Sequence, residues 1–308
     1  MFRVFIFFLA LIVIPEIHSQ DVQAVEAFYK DGHKNFEKGN YEQAIAAFTR
    51  GIELTTRPET KGSLLKNSFA ADADPLALDR ITVIDPRAAA LYLDRGNVYF
   101  SMFDFDRAIQ DYDRAAAITP GSPAIYHSRG TAWMIQKQFD RALADYNKAL
   151  KMDPKFAKAY IGRGLTHVDM GDTKAAFDDF ELAIKANPKS AEAYSYRGDS
   201  KRTSGDKTGA MLDFERAIKI DPSLPNPYMG RAAVRSSQRD YKGAIEDLTK
   251  AIALDGRLAN AYANRGYIFL FTGRDADAER DFAQALTKAP RMRVEIEENI
   301  AKIKSSRE

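Results

Sequence analysis

Through most of this chain, residues 34 positions apart fall into the same class. Gly96, Gly130, Gly164, Gly198, Ala232 and Gly266 form one column, and Ala108, Ala142, Ala176, Ala210, Ala244 and Ala278 a second. Tyr92, Tyr126, Tyr160, Tyr194, Tyr228 and Tyr262 form a third, and Ala115, Ala149, Ala183, Ala217, Ala251 and Ala285 a fourth. Four columns in phase over six units are the mark of a solenoid. Each unit cannot bury its apolar face alone, so it stacks on its neighbours.

Each unit reads as two helices. From Ala89 to Met102 the residues Leu91, Tyr92, Gly96, Tyr99 and Phe100 recur at helical spacing. From Asp106 to Thr119 the same holds for Ala108, Ile109, Tyr112, Ala115, Ala116 and Ile118. Turns such as Met170–Asp172, Ser204–Asp206 and Thr272–Arg274 separate the two. Pro120, Pro154, Pro188, Pro222 and Pro290 end second helices, because proline lacks the amide that a continuing helix needs. Gly or Ala at the crossing lets two backbones approach, and Tyr112, Tyr146, Phe180, Phe214 and Phe282 fill the space around it.

The pattern Tyr-x-x-x-Gly, then Ala after twelve residues, an aromatic after four, Ala after three and Pro after five resembles the tetratricopeptide repeat (TPR). The match runs over residues 89–290 as six units: 89–122, 123–156, 157–190, 191–224, 225–258 and 259–290. Phe28, Gly32, Ala44, Phe48 and Gly51 fit one further unit within residues 20–56. The segment 57–88 is inserted after it and reads as a long loop, with room for short helices at LLKNSFA and PLALDR. The resemblance implies an all-α solenoid of about seven stacked hairpins, a right-handed superhelix whose concave groove binds peptides or extended protein segments. Residues 291–308 read as a capping helix and frayed tail: Met292, Ile296, Ile300 and Ile303 share one stripe, with charges on the other sides.

The N-terminus is different in kind. Arg3 precedes the apolar run Val4–Ile14, and Pro15 breaks it. Such a run is shorter than the roughly 20 residues that cross a bilayer, so residues 1–19 read as a secretory signal peptide cut after Ser19, with an uncleaved anchor as the competing reading. With no cysteine there is no disulfide, thiol nucleophile or cysteine metal site. That absence in an exported protein points to a bacterial periplasm more than to the ER lumen. The net charge of +2 argues against a nucleic-acid or anionic-membrane partner.

Two charged columns accompany the small ones. Arg95, Arg129, Arg163, Arg197, Arg231 and Arg265 precede the glycine column, and Asp111, Asp145, Asp179, Asp213, Asp247 and Asp281 precede the aromatic one. The first unit has Asp31 and Ala47 at these places, so it lacks both partners. In the resembled family the arginine position is usually a packed apolar residue. A charge there needs a partner, and one structural ion pair per unit is expected, within a hairpin or between neighbours. A ladder of arginines holding an acidic ligand is the rival.

By the family's geometry the groove is lined by first-helix residues: Asn97 and Phe100; His127, Thr131 and Met134; Lys158, Ile161 and Leu165; Tyr196, Asp199 and Arg202; Asn260, Asn264 and Tyr267. Ser195, Val168, Met229, Ile135 and Phe271 belong to the same mapping, although Phe100, Leu165 and Val168 are equally suited to packing on the next unit. A chaperone-type clamp is incomplete, since Leu93, Ser128 and Gly162 stand where its Lys, Asn and Arg are wanted. The histidines lack metal-ligand spacing, His167 sits in the column of Tyr99 and Trp133, and no phosphate-loop, dinucleotide, zinc-protease or serine-elbow motif occurs. The expectation is an exported, non-catalytic scaffold for a protein or peptide partner, without metal or cofactor. A self-assembling envelope scaffold, or a subunit regulating an envelope enzyme, is the alternative.

Overall fold

The computed structural model describes residues 19–56 and 86–305. Residues 1–18 of the expected signal peptide 1–19, residues 57–85 of the expected insert 57–88 with its two expected short helices, and residues 306–308 lie outside the described residues. Among the described residues the regular structure is helical throughout. The chain divides into two compact units between Met152 and Asp153.

The first unit holds α1 (Ser19–Glu37), α2 (Tyr41–Thr55), α3 (Arg87–Ser101), α4 (Phe105–Ile118), α5 (Pro123–Ile135) and α6 (Phe139–Met152). Consecutive helices pair as hairpins, α1 with α2, α3 with α4 and α5 with α6; α2 then packs on α3 and α4 on α5. Val25, Ala44, Phe48, Ile52, Leu91 and Val98 make one buried cluster that joins the first hairpin to the second.

The second unit holds α7 (Ala157–Met170), α8 (Thr173–Ala186), α9 (Ala191–Thr203), α10 (Lys207–Ile220), α11 (Asn226–Ser237), α12 (Tyr241–Leu254), α13 (Ala259–Phe271) and α14 (Asp275–Lys288). A 3₁₀ turn, Pro290–Met292, leads into α15 (Arg293–Ser305). The pairing is the same, and α15 lies on α13. Ile296 is buried there with Phe269, Phe282 and Ala285, and Met292, Ile300 and Ile303 pack against the cluster. The apolar stripe of α15 therefore covers the last hairpin, which has no following unit to bury it.

Glycine at the crossing is a matter of space. A Cβ on Gly198 would stand 2.8 Å from the Phe214 ring, and one on Gly230, in the next hairpin, would stand 2.4 Å from the same ring. Phe214, fully buried, is thus seated between two hairpins on two missing side chains. Second helices begin on aspartate caps: Asp104, Asp172, Asp206 and Asp240 accept from the backbone N–H three residues on. The residue before each cap has positive φ: Gly171 and Gly205 adopt it freely, while Phe103, at φ 61°, and Arg239, at φ 66°, are strained there.

Candidate functional site

The charged columns meet as a ladder. Arg95 donates from Nε and Nη2 to the two carboxylate oxygens of Asp111, at 2.7 and 2.8 Å. The same fork joins Arg129 to Asp145, Arg163 to Asp179, Arg197 to Asp213, Arg231 to Asp247 and Arg265 to Asp281. All six aspartates are buried. Partners 16 residues apart belong to one hairpin, so the fork ties its first helix to its second. The remaining arm, Nη1, reaches back to the preceding hairpin: Arg129 to Asp113 at 2.5 Å, Arg197 to Glu181 at 3.5 Å, Arg265 to Thr249 at 2.9 Å. Arg95 does the same with Thr49 at 2.8 Å, on the far side of the insert in sequence.

Each arginine also lies over the tyrosine three residues before it. The guanidinium carbon is 5.5 Å from the Tyr92 ring centre in the first instance and 5.8 Å from Tyr262 in the last. The tyrosine, arginine and aspartate columns are one device. Its hydrogen bonds hold the guanidinium charged: the bond to Asp145 pushes Arg129 upward, against desolvation, and that to Asp213 does so for Arg197.

One component was hidden in the sequence. At the column of Tyr99 and Trp133, the second unit places His167, Lys201 and Arg235. Lys201 Nζ is 2.8 Å from Asp213 and Arg235 Nη1 donates to Asp247 at 2.9 Å, so these aspartates are each held by two cations. His167 Nε2 stands 3.7 Å from Asp179, and its buried Nδ1 has no partner. Where the column is aromatic, a cation covers the ring instead: Arg107 over Tyr99, Arg141 over Trp133, Arg274 over Phe269. Ala175, Gly209 and Gly243 stand where Arg107 and Arg141 do, and that exchange of a cation for a small residue was the available signal.

The residues expected to line the groove all lie on first helices. In the first unit, Asn97 and Phe100 are on α3, and His127, Thr131 and Met134 are on α5, all half-buried. Several are engaged internally. Tyr112 donates its hydroxyl to Asn97 Oδ1 at 2.9 Å, Thr131 pairs with the Tyr146 hydroxyl at 3.1 Å, and Phe100 packs edge-on against Phe105. The His127 ring lies 5.9 Å from Tyr146. Asp94, on the same helix α3, anchors a polar cluster: His33 Nε2 is 3.1 Å from its carboxylate, and Asn97 donates at 3.5 Å. Burial pushes Asp94 upward, opposed by the bonds from His33, Tyr29 and Asn97. Burial, with Asp94 beside it, lifts Tyr29 to about 12.

In the second unit, Lys158, Asn260 and Asn264 are exposed, and Ile161, Leu165, Tyr196, Asp199, Arg202 and Tyr267 are half-buried. Two assignments need correction. Ser195 is only 3% exposed, buried in the packing. Tyr267 faces the end of the array, where its hydroxyl accepts from Asn299 of α15 at 3.3 Å and its ring packs on Phe282. Tyr196 stacks on Phe180, 5.6 Å between centres and 23° between planes. Arg202 Nε donates to Asp199 at 3.3 Å, yet burial pushes Asp199 upward against that favourable charge. Val168, Ile135 and Phe271 are about half exposed.

The model of the ETO1 C-terminal domain matches residues 76–306. The chain belongs to that family. It is a tetratricopeptide repeat protein, and solved structures of that class share its fold. One, a tetratricopeptide repeat protein from Parabacteroides merdae, is 21% identical, covers 91% of this chain and 99% of its own, and superposes with a TM-score of 0.61. Pseudomonas aeruginosa pilF is 17% identical over 70% of this chain and 97% of its own, with a TM-score of 0.59. TTC0263, a thermophilic TPR protein of Thermus thermophilus, is 16% identical over 59% of this chain and all of its own, with a TM-score of 0.53. Among curated proteins none matches the chain. No helix among the described residues is long and apolar enough to cross a membrane.

Proposed function

We propose that this member of the ETO1 C-terminal domain family is a non-catalytic scaffold that holds an extended segment of a partner protein against its first helices. The observation that carries the reading is a division of labour. The arginines are forked on buried aspartates of their own hairpins, which leaves that ladder to stability. The first helices meanwhile present Ile161, Leu165, Tyr196, Asn260 and Asn264 with surface still open, a mixture that grips backbone through amides and side chains through apolar area. We further propose export, on the strength of the apolar run from Val4 to Ile14.

Capture from the cell envelope tests the reading. The full chain is compared with Leu165→Glu on α7 and with Leu212→Glu, whose side chain is 62% exposed on the second helix α10. Loss of a partner with Leu165→Glu and its retention with Leu212→Glu is the expected result. The reverse pattern places recognition on the second helices and overturns the proposal.

A further inference from the structure

The second unit carries charge chemistry on α9 that the ladder does not use. Glu192, Tyr196 and Asp199 follow one another at helical spacing and so share one face. The two carboxylates act on the tyrosine: burial raises the Tyr196 hydroxyl first, and Glu192 and then Asp199 raise it further through their charge. Arg202 offsets only part of this. It touches one oxygen of Asp199 at 3.3 Å, and that carboxylate, 42% exposed, is still pushed upward by the protein around it. Phe180, stacked beneath, fixes the Tyr196 ring. Phe180 also lies against Gly164 of α7, where a Cβ would approach to 2.7 Å, so its ring touches both α7 and α9.

A ring held in place, with a carboxylate one turn before it and another one turn after, is complementary to a cation on an apolar stem. We propose that the second unit seats a lysine or arginine side chain of the partner between Glu192, Tyr196 and Asp199, with the partner's neighbouring apolar residues on Ile161 and Leu165. This rests on the first-helix reading above and adds the sign of the charge recognised. The ammonium or guanidinium lies over the Tyr196 face, and the partner's cation supplements Arg202 at the under-compensated Asp199.

A random nonapeptide phage library panned on the full chain provides the test. Enriched peptides are expected to carry Lys or Arg beside apolar residues. A labelled synthetic copy of the strongest should lose about tenfold in affinity when its cation becomes norleucine, or when Asp199 becomes Asn. The protein's Leu165→Ala variant should weaken the lysine and norleucine peptides alike. Acidic or neutral binders, or binders indifferent to Asp199→Asn, overturn the cation seat and leave the groove reading standing. Absence of any enriched binder overturns both. Thermal melts of the two variants no lower than the parent's show that lost affinity is not lost fold.

Discussion

Arg197 forks onto Asp213 within one hairpin, at 2.8 and 2.7 Å. Lys201, one turn further along the same helix, holds the same carboxylate at 2.8 Å. The last rung has no such second cation: Arg265 alone forks onto Asp281, and its neighbour in the other column is Phe269.

The two rungs should therefore differ in their tolerance of truncation. Arg265→Ala strands a buried carboxylate and should cost about 3–5 kcal/mol. Arg197→Ala leaves Lys201 on Asp213 and should cost less. Urea midpoints of the two variants, measured side by side, check the order, and equal losses would show that the second cation contributes nothing.

Removing both partners of the best-buried pair is a different matter. In Arg95–Asp111 the side chains are 10% and 2% exposed. Arg95→Ala should cost about 3–5 kcal/mol, whereas Arg95→Met with Asp111→Leu should recover most of it, because no buried charge is then left unpaired: Arg114, 3.4 Å from Asp111, is 56% exposed. A double-mutant cycle on thermal stability reads this directly.

Space is the constraint at the hairpin crossing. Gly198→Ala places a methyl group 2.8 Å from the Phe214 ring, which Gly230 hems in from the other side. A loss of about 1–3 kcal/mol is expected from the forced shift. Arg239→Gly should go the other way, relieving φ 66° on an exposed turn and raising stability by about 0.5–1 kcal/mol. Calorimetry on both variants separates crowding from backbone strain.

Asp199 gives a pH signature. Its folded pKa is raised, chiefly by burial, so its contribution to stability is complete when it is protonated in acid and is lost as pH rises through the folded value. Asp199→Asn removes that titration. Relative to the parent, the variant should gain stability between about pH 3 and pH 7. A difference in melting temperature that stays flat or falls over this range would assign the carboxylate a favourable partner instead.

Much of the fold was legible because a period repeats its own evidence. Gly96, Ala108, Tyr112 and Ala115 are each weak signals, and their recurrence makes the hairpin unavoidable. The arginine column was legible as a charge in need of a partner. Its second contact, back to residues such as Asp113 and Thr249, was not, because those positions vary between acid, amide and hydroxyl and form no column. The groove was the least legible part. Asn97 and Thr131 look like recognition residues until Tyr112 and Tyr146 are seen to bring hydroxyls that need partners, where Phe180 and Phe214 bring none. Tyr267 looked free because α15 reaches it only by folding back from beyond the repeats.

Deuterium exchange on the full chain, with and without a peptide selected on it, tests most directly whether first helices are the binding surface. The account predicts slowed exchange confined to first helices of the second unit, strongest in α7 and α9 around Leu165 and Tyr196. Protection confined to second helices such as α10 and α12, with α7 and α9 unchanged, would contradict it.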